Sequence, residues 1–237
     1  MGLVDQIEAY LKQQVELYGD EPALAITSRK ASGAVDASND TSEVWQNSQS
    51  IDALYEATKD CQKCPLGRTR TNFVFSDGNP CADIVLIGEA PGADEDRLGK
   101  PFVGQAGQLL DKILQAINLD RERVYICNIV KCRPPGNRVP VETEISQCLP
   151  YLRKQLQLID PAFIVCLGRT AAQALLGTSS SLSLLRGKVY DYAAAKVLVT
   201  YHPAALLRTP EYKKDTWEDV KLLRRMYDEW KNSENPH

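Results

Sequence analysis

From residue 51 onward the chain alternates between two kinds of hydrophobic pattern. Four short runs are apolar almost without interruption: residues 83–88, 124–129, 162–168 and 196–201. Runs of this length, rich in β-branched residues and closed by turn formers, predict strands buried on both faces. Between and after them apolar residues recur at helical spacing, which predicts helices over 104–118, 141–158, 169–177 and 211–231. Strands and helices in alternation imply βαβ units, and hence an α/β fold of three layers, α/β/α, on a central four-stranded parallel sheet. The carboxyl ends of the strands in such a sheet share one edge, where ligands bind.

The N-terminal region reads differently. Leu3, Val4, Ile7, Tyr10, Leu11, Val15 and Tyr18 recur at helical spacing, so residues 1–20 are expected to hold an amphipathic helix with a docking or solubility role. Residues 21–50 are rich in Ala, Ser, Thr and Asp without a period and read as a flexible linker. The main domain is then expected over 51–232, with a tail at 233–237. The net charge of −3 hides an asymmetry: eleven acidic and four basic side chains give −7 in residues 1–60, and 20 acidic with 24 basic give +4 in residues 61–237. A mildly basic main domain is compatible with phosphate contacts. No apolar run approaches the ~20 residues of a membrane span, and no signal-peptide layout is present, so a cytoplasmic location is expected.

The turns directly after the four strands make up the candidate site: Gly88-Glu89-Ala90-Pro91-Gly92, then Asn128, then Gly168, then His202-Pro203. Glu89 stands between glycines that let the backbone approach a ligand. Asn128 ends a buried strand, where its amide must find both a donor and an acceptor. A ligand with a donor beside an acceptor satisfies it, as the Watson–Crick edge of uracil does with N3–H and O4. His202 and the terminal His237 are the only histidines. A lone histidine is more often structural, but one at the ligand edge can donate to a developing anion. Phe102 lies in a glycine-flanked loop, Lys100-Pro101-Phe102-Val103-Gly104, and reads either as core or as a stacking platform for a planar base. No P-loop and no dinucleotide glycine fingerprint occurs.

Seven cysteines in a chain without secretory features point to metal ligation and buried thiols. Cys61 and Cys64 form a Cys-x-x-Cys-Pro turn, Cys132 lies in Lys131-Cys132-Arg133-Pro134-Pro135, and Cys148 falls on the next predicted helix. Together they would supply four thiolates to zinc or to an iron–sulfur cluster, which spacing alone does not separate. Cys127 and Cys166 lie in core strands and are expected to be inert; Cys81 is a loop residue without an evident role.

Over about residues 51–230 the chain resembles the family 4 uracil-DNA glycosylases, the iron–sulfur branch of that superfamily. The matching segments are Cys61 to Gly67, Gly88 to Leu110, Asn128 to Pro140 and His202 to Arg208. The resemblance implies a [4Fe–4S] cluster on Cys61, Cys64, Cys132 and Cys148. It also implies a uracil pocket built from Gly88, Glu89 and Ala90, with Phe102 stacking, Asn128 reading the base edge and His202 bonding uracil O2. Asn137 would hold the attacking water and Glu89 would be the motif carboxylate. The best-known branch carries an aspartate where this chain has Ala90, so no single general base is assigned. Leu206 is expected as the wedge that fills the gap left by an extruded base. No lysine stands in the motif turns as an amine nucleophile, so a monofunctional glycosylase without lyase activity is expected, acting as a monomer on single- or double-stranded uracil-containing DNA. A covalent uracil binder, a glycosylase for another base and a zinc-stabilised binding module are the rival readings. The first would use a histidine that Lys131 to Pro140 lacks.

Overall fold

The computed structural model describes residues 44–234. The expected N-terminal helix, the linker as far as residue 43 and residues 235–237 lie outside the described residues.

One mixed sheet organises the chain. Its strands are β1 (Ser76–Gly78), β2 (Ile84–Gly88), β3 (Val124–Asn128), β4 (Phe163–Leu167), β5 (Val189–Tyr192) and β6 (Ala195–Thr200), in the order β1-β3-β2-β4-β6-β5. The four inner strands β3-β2-β4-β6 are all parallel and coincide with the four apolar runs. The sheet is wider than the expected four strands, because β1 pairs antiparallel with β3 and β5 antiparallel with β6. Both additions sit at edges, are short, and mix partly exposed with polar positions, so they lack the continuous apolar signature of a buried strand.

The helices are α1 (Ile51–Thr58), α2 (Leu66–Thr69), α3 (Ala93–Leu98), α4 (Gln105–Ala116), α5 (Glu142–Ile159), α6 (Arg169–Leu176), α7 (Leu182–Leu185), α8 (Pro203–Arg208) and α9 (Tyr212–Glu234). Strand side chains alternate between two cores. Val85, Ile87, Ile164 and Val197 join Leu152 and Leu156 of α5 and Ala171 and Leu175 of α6 on one face. Ile84, Leu86, Val165 and Leu198 join Leu110 and Leu114 of α4 and Val220 and Leu223 of α9 on the other. Helices on both faces complete the three layers. Cys127 and Cys166 are fully buried in the first core, where burial raises both thiols, as expected of inert residues.

The folded unit begins ahead of Ile51. Val44–Asn47 form a single 3-10 turn, and Trp45 packs edge-on against Tyr151 with ring centroids 4.9 Å apart. Ser50 then caps α1 by accepting from the Ala53 amide at 3.1 Å. The topology also fixes where a ligand goes. The chain leaves β3 on one side of β2 and returns as β4 on the other, so β2 marks a switch point with its carboxyl end open. Among the described residues no helix is long and apolar enough to cross a membrane.

Candidate active site

The loops leaving β2, β3, β4 and β6 enclose a cavity of about 410 Å³ at that edge. Glu89, Ala90, Phe102, Asn128, Asn137 and His202 all line it, so the structure brings these six expected residues to one place. Gly88 lies directly behind them. A methyl group on it would stand 2.3 Å from Asn128 Oδ1 and 2.6 Å from the Phe102 ring, so only glycine lets these two close over the strand end. The pairing of β2 with β3 continues past the strands: Ile129 N–H donates to Gly88 O at 2.9 Å and Val130 N–H to Glu89 O at 3.1 Å. The acidic turn and the asparagine are thereby locked in register.

Asn128 is 2% exposed, and its Oδ1 is a buried acceptor with no hydrogen-bond partner among the described residues. A buried acceptor without a partner costs about 1–3 kcal/mol, and this one belongs to a residue that lines the cavity. The Asn128 main-chain carbonyl is itself anchored. Lys131, fully buried, donates from Nζ to Asn128 O at 2.8 Å and to Gln155 Oε1, and Gln155 donates on to Tyr125 Oη at 2.8 Å.

His202 caps α8. Its Nδ1 accepts from the Ala204 amide at 3.1 Å, which places the ring proton on Nε2. Burial, reinforced by the positive charge of Arg208, lowers its pKa to about 4, so the imidazole is neutral at pH 7. It faces Phe102 with centroids 5.4 Å apart and planes 29° from parallel. Phe102 is 5% exposed and adopts the left-handed backbone conformation at φ 55°.

Glu89 receives a 2.5 Å hydrogen bond from Thr170 Oγ1, at the start of α6, on Oε2. Asn137, also left-handed at φ 55°, is held through Oδ1 by Arg133 Nε at 2.7 Å. Its neighbour Arg138 forks onto Glu144 at 2.8 and 2.6 Å, pinning the loop to the start of α5. Glu95 joins two walls of the cavity: Oε2 accepts from Gly92 N–H at 3.1 Å, and Oε1 from the Val103 and Gly104 amides at 2.9 Å each. Thr170, Glu95 and Lys131 escape a reading of the sequence alone. Only Glu95 leaves a trace there, as the third helical residue after Gly92, where a carboxylate closes a capping box.

Leu206, the residue expected as the wedge, is 2% exposed and lies on the inward side of α8. Leu207, next along the helix, is 46% exposed. The six-residue helix turns the second leucine outward, a phase that the motif does not reveal.

Cys61, Cys64, Cys132 and Cys148 line one small internal void with Phe73 and Tyr151. Three donors converge on three of the sulfurs: Arg70 Nη1 on Cys132 at 3.1 Å, the Lys131 amide on Cys148 at 3.3 Å and the Tyr151 hydroxyl on Cys61 at 3.3 Å. Donors aimed at sulfur suit thiolates that ligate a metal centre. Among the described residues no three His, Cys, Asp or Glu side chains form a ready site for one metal ion.

The fold and the pocket define an α/β protein with a polar, aromatic-walled cavity at the switch point of its sheet. Comparison with known proteins narrows this. Residues 75–221 match the uracil DNA glycosylase superfamily. The chain is 45% identical over 183 residues to the type-4 uracil-DNA glycosylase of Archaeoglobus fulgidus, covering 74% of this chain and 92% of that one. It is 44% identical over 186 residues to the Sulfurisphaera tokodaii enzyme of that name, covering 75% and 84%, and 41% identical over 185 residues to that of Thermotoga maritima, covering 76% and 96%. The chain belongs to the uracil DNA glycosylase superfamily and, within it, to the type-4 uracil-DNA glycosylases.

Proposed function

We propose that this protein is a DNA-repair glycosylase that takes uracil extruded from DNA, hydrolyses its N-glycosidic bond and leaves an abasic site. The observation that carries the reading is the buried, unpartnered Oδ1 of Asn128, a residue that lines one cavity with Phe102 and His202. Uracil N3–H supplies the missing donor, and the Asn128 amide NH₂ can donate to O4. Cytosine has an acceptor at N3 and a donor at C4, and mismatches both.

Extrusion costs a few kcal/mol in lost stacking and pairing. Stacking on Phe102 returns about 1–3 kcal/mol of it. When C1′–N1 breaks, its electron pair stays on uracil and positive charge develops on the sugar. The Nε2–H of neutral His202 meets the charge on O2, a contribution of about 3–4 kcal/mol by analogy with oxyanion-hole donors. Glu89 offers its carboxylate to the cationic sugar and to the incoming water, and Asn137 holds that water. The water oxygen bonds to C1′ and loses a proton to solvent, and the departing uracil anion takes one proton from solvent, so uracil leaves as the free base. Among the described residues no lysine lines the cavity, so no Schiff base is expected and the strand is left uncut. Arg138, Arg169 and Arg208 at the cavity supply contacts for flanking phosphates, and Leu207 takes the wedge role expected of Leu206.

Cys61, Cys64, Cys132 and Cys148 would hold a [4Fe–4S] cluster, with zinc as the alternative occupant. The converging sulfur donors and the shared void support the assignment. The cluster, when bound, supplies cross-linking of the Cys61–Cys64 turn to the loop after β3 and to α5, and takes no part in the hydrolysis. The enzyme is read as a cytoplasmic monomer acting on single- or double-stranded DNA. Uracil release from a synthetic oligonucleotide, set against thymine and hypoxanthine controls, tests the reading.

A further inference from the structure

Phe102 occupies a backbone region that non-glycine residues rarely adopt, at φ 55°, and such residues persist where the surroundings over-determine them. The surroundings here are specific. Arg121, in the loop between α4 and β3, donates from Nη2 to Phe102 O and from Nη1 to Pro101 O at 3.2 Å. Its guanidinium is held in turn by Asp111 of α4 at 2.7 Å and Asp77 of β1 at 2.9 Å. Gly107 gives way on the other side, since a Cβ there would lie 1.8 Å from Phe102 O. One planar fork thus captures two successive carbonyls that a single ammonium could not hold together.

We infer that Arg121 is a positioning residue for base recognition: by fixing the Pro101 and Phe102 carbonyls it sets the plane of the Phe102 ring against which the extruded base stacks. It lies outside the cavity lining and touches neither base nor sugar, so its effect passes through Phe102. The inference rests on the uracil-excision reading.

A double-mutant cycle tests it. Arg121→Met, Phe102→Leu and the double variant are compared with the wild-type protein for KM and kcat on a uracil-containing oligonucleotide, for inhibition by free uracil, and for thermal melting. Either single change is expected to raise KM and the free-uracil inhibition constant about tenfold with a smaller effect on kcat, and the double variant to add little beyond Phe102→Leu. Independent, multiplying effects, or an Arg121→Met protein with wild-type uracil inhibition, would overturn the inference. If Arg121→Met does not fold, Arg121→Lys takes its place in the cycle, with a smaller loss expected and the same dependence on Phe102. A wild-type protein that releases no uracil defeats the functional reading instead, so the two failures are distinct.

Discussion

The imidazole of His202 lies over the ring of Phe102, 5.4 Å between centroids and 29° from parallel, although the two residues are a hundred positions apart. One comes from the loop after α3 and the other from the turn after β6. Their meeting makes a wall with a π-face from one residue and a proton donor from the other.

The protonation state of that donor sets the first expectation. The folded pKa of His202, about 4, lies below its ordinary 6.5, so neutral imidazole persists as pH falls through 6. The unfolded chain takes up the proton first, so this group contributes stability in full above about pH 6.5 and loses it as pH falls toward 4. Excision should therefore show no loss between pH 8 and 5 that is attributable to His202, and an acid limb near pH 4. Nitrogen-15 NMR of the imidazole should report an Nε2–H tautomer at pH 7; a ring titrating near 6.5 contradicts the account.

Asn128 separates activity from stability. Replacing it with alanine removes both contacts to the base, and at about 1–1.5 kcal/mol each the loss in kcat/KM is about tenfold to a hundredfold, more if the bonds tighten in the transition state. The same change removes a buried acceptor that has no partner among the described residues, so the melting temperature should stay level or rise. A variant that melts much lower would mean that Asn128 serves the fold instead.

The two leucines of α8 should part company. Leu206→Ala empties a buried position and should cost about 2–5 kcal/mol of stability. Leu207→Ala should leave denaturant unfolding within about 0.5 kcal/mol of wild type. It should slow excision from double-stranded DNA more than from single strands, where no gap needs filling. Equal effects on the two substrates would remove the wedge role from Leu207.

The cysteine centre predicts a coloured protein. Anaerobically purified material should contain iron and absorb near the visible blue, and Cys132→Ala should lose both the absorbance and several degrees of melting temperature. Chelation that bleaches the protein should loosen the loop that follows Asn128 and carries Cys132, detectable as faster amide exchange over 129–138. A colourless, zinc-containing wild-type protein would replace the cluster with a single ion.

Much of this was legible in the sequence, for a physical reason. The inner strands are covered on both faces, so each is an almost unbroken apolar run, and the residues just beyond their carboxyl ends must share an edge. Asn128, His202 and Glu89 are visible in that way, and Phe102 as an aromatic in a glycine-flanked loop. What the sequence conceals depends on distance or on helical phase. The edge strands at Ser76–Gly78 and Val189–Tyr192 are too short and too polar to stand out. Thr170 meets Glu89 across 81 positions, and Arg121 reaches Phe102 from the far end of α4. Which leucine of α8 faces inward depends on how that helix rests on the sheet, and no local pattern states it.

The most direct measurement is excision itself. The purified protein is incubated with an oligonucleotide that carries one uracil, and the products are separated with and without alkali. The account predicts free uracil in solution and a strand that breaks at that position only after alkali, with thymine and hypoxanthine controls intact. An uncleaved uracil strand, or a break that appears without alkali, would contradict it.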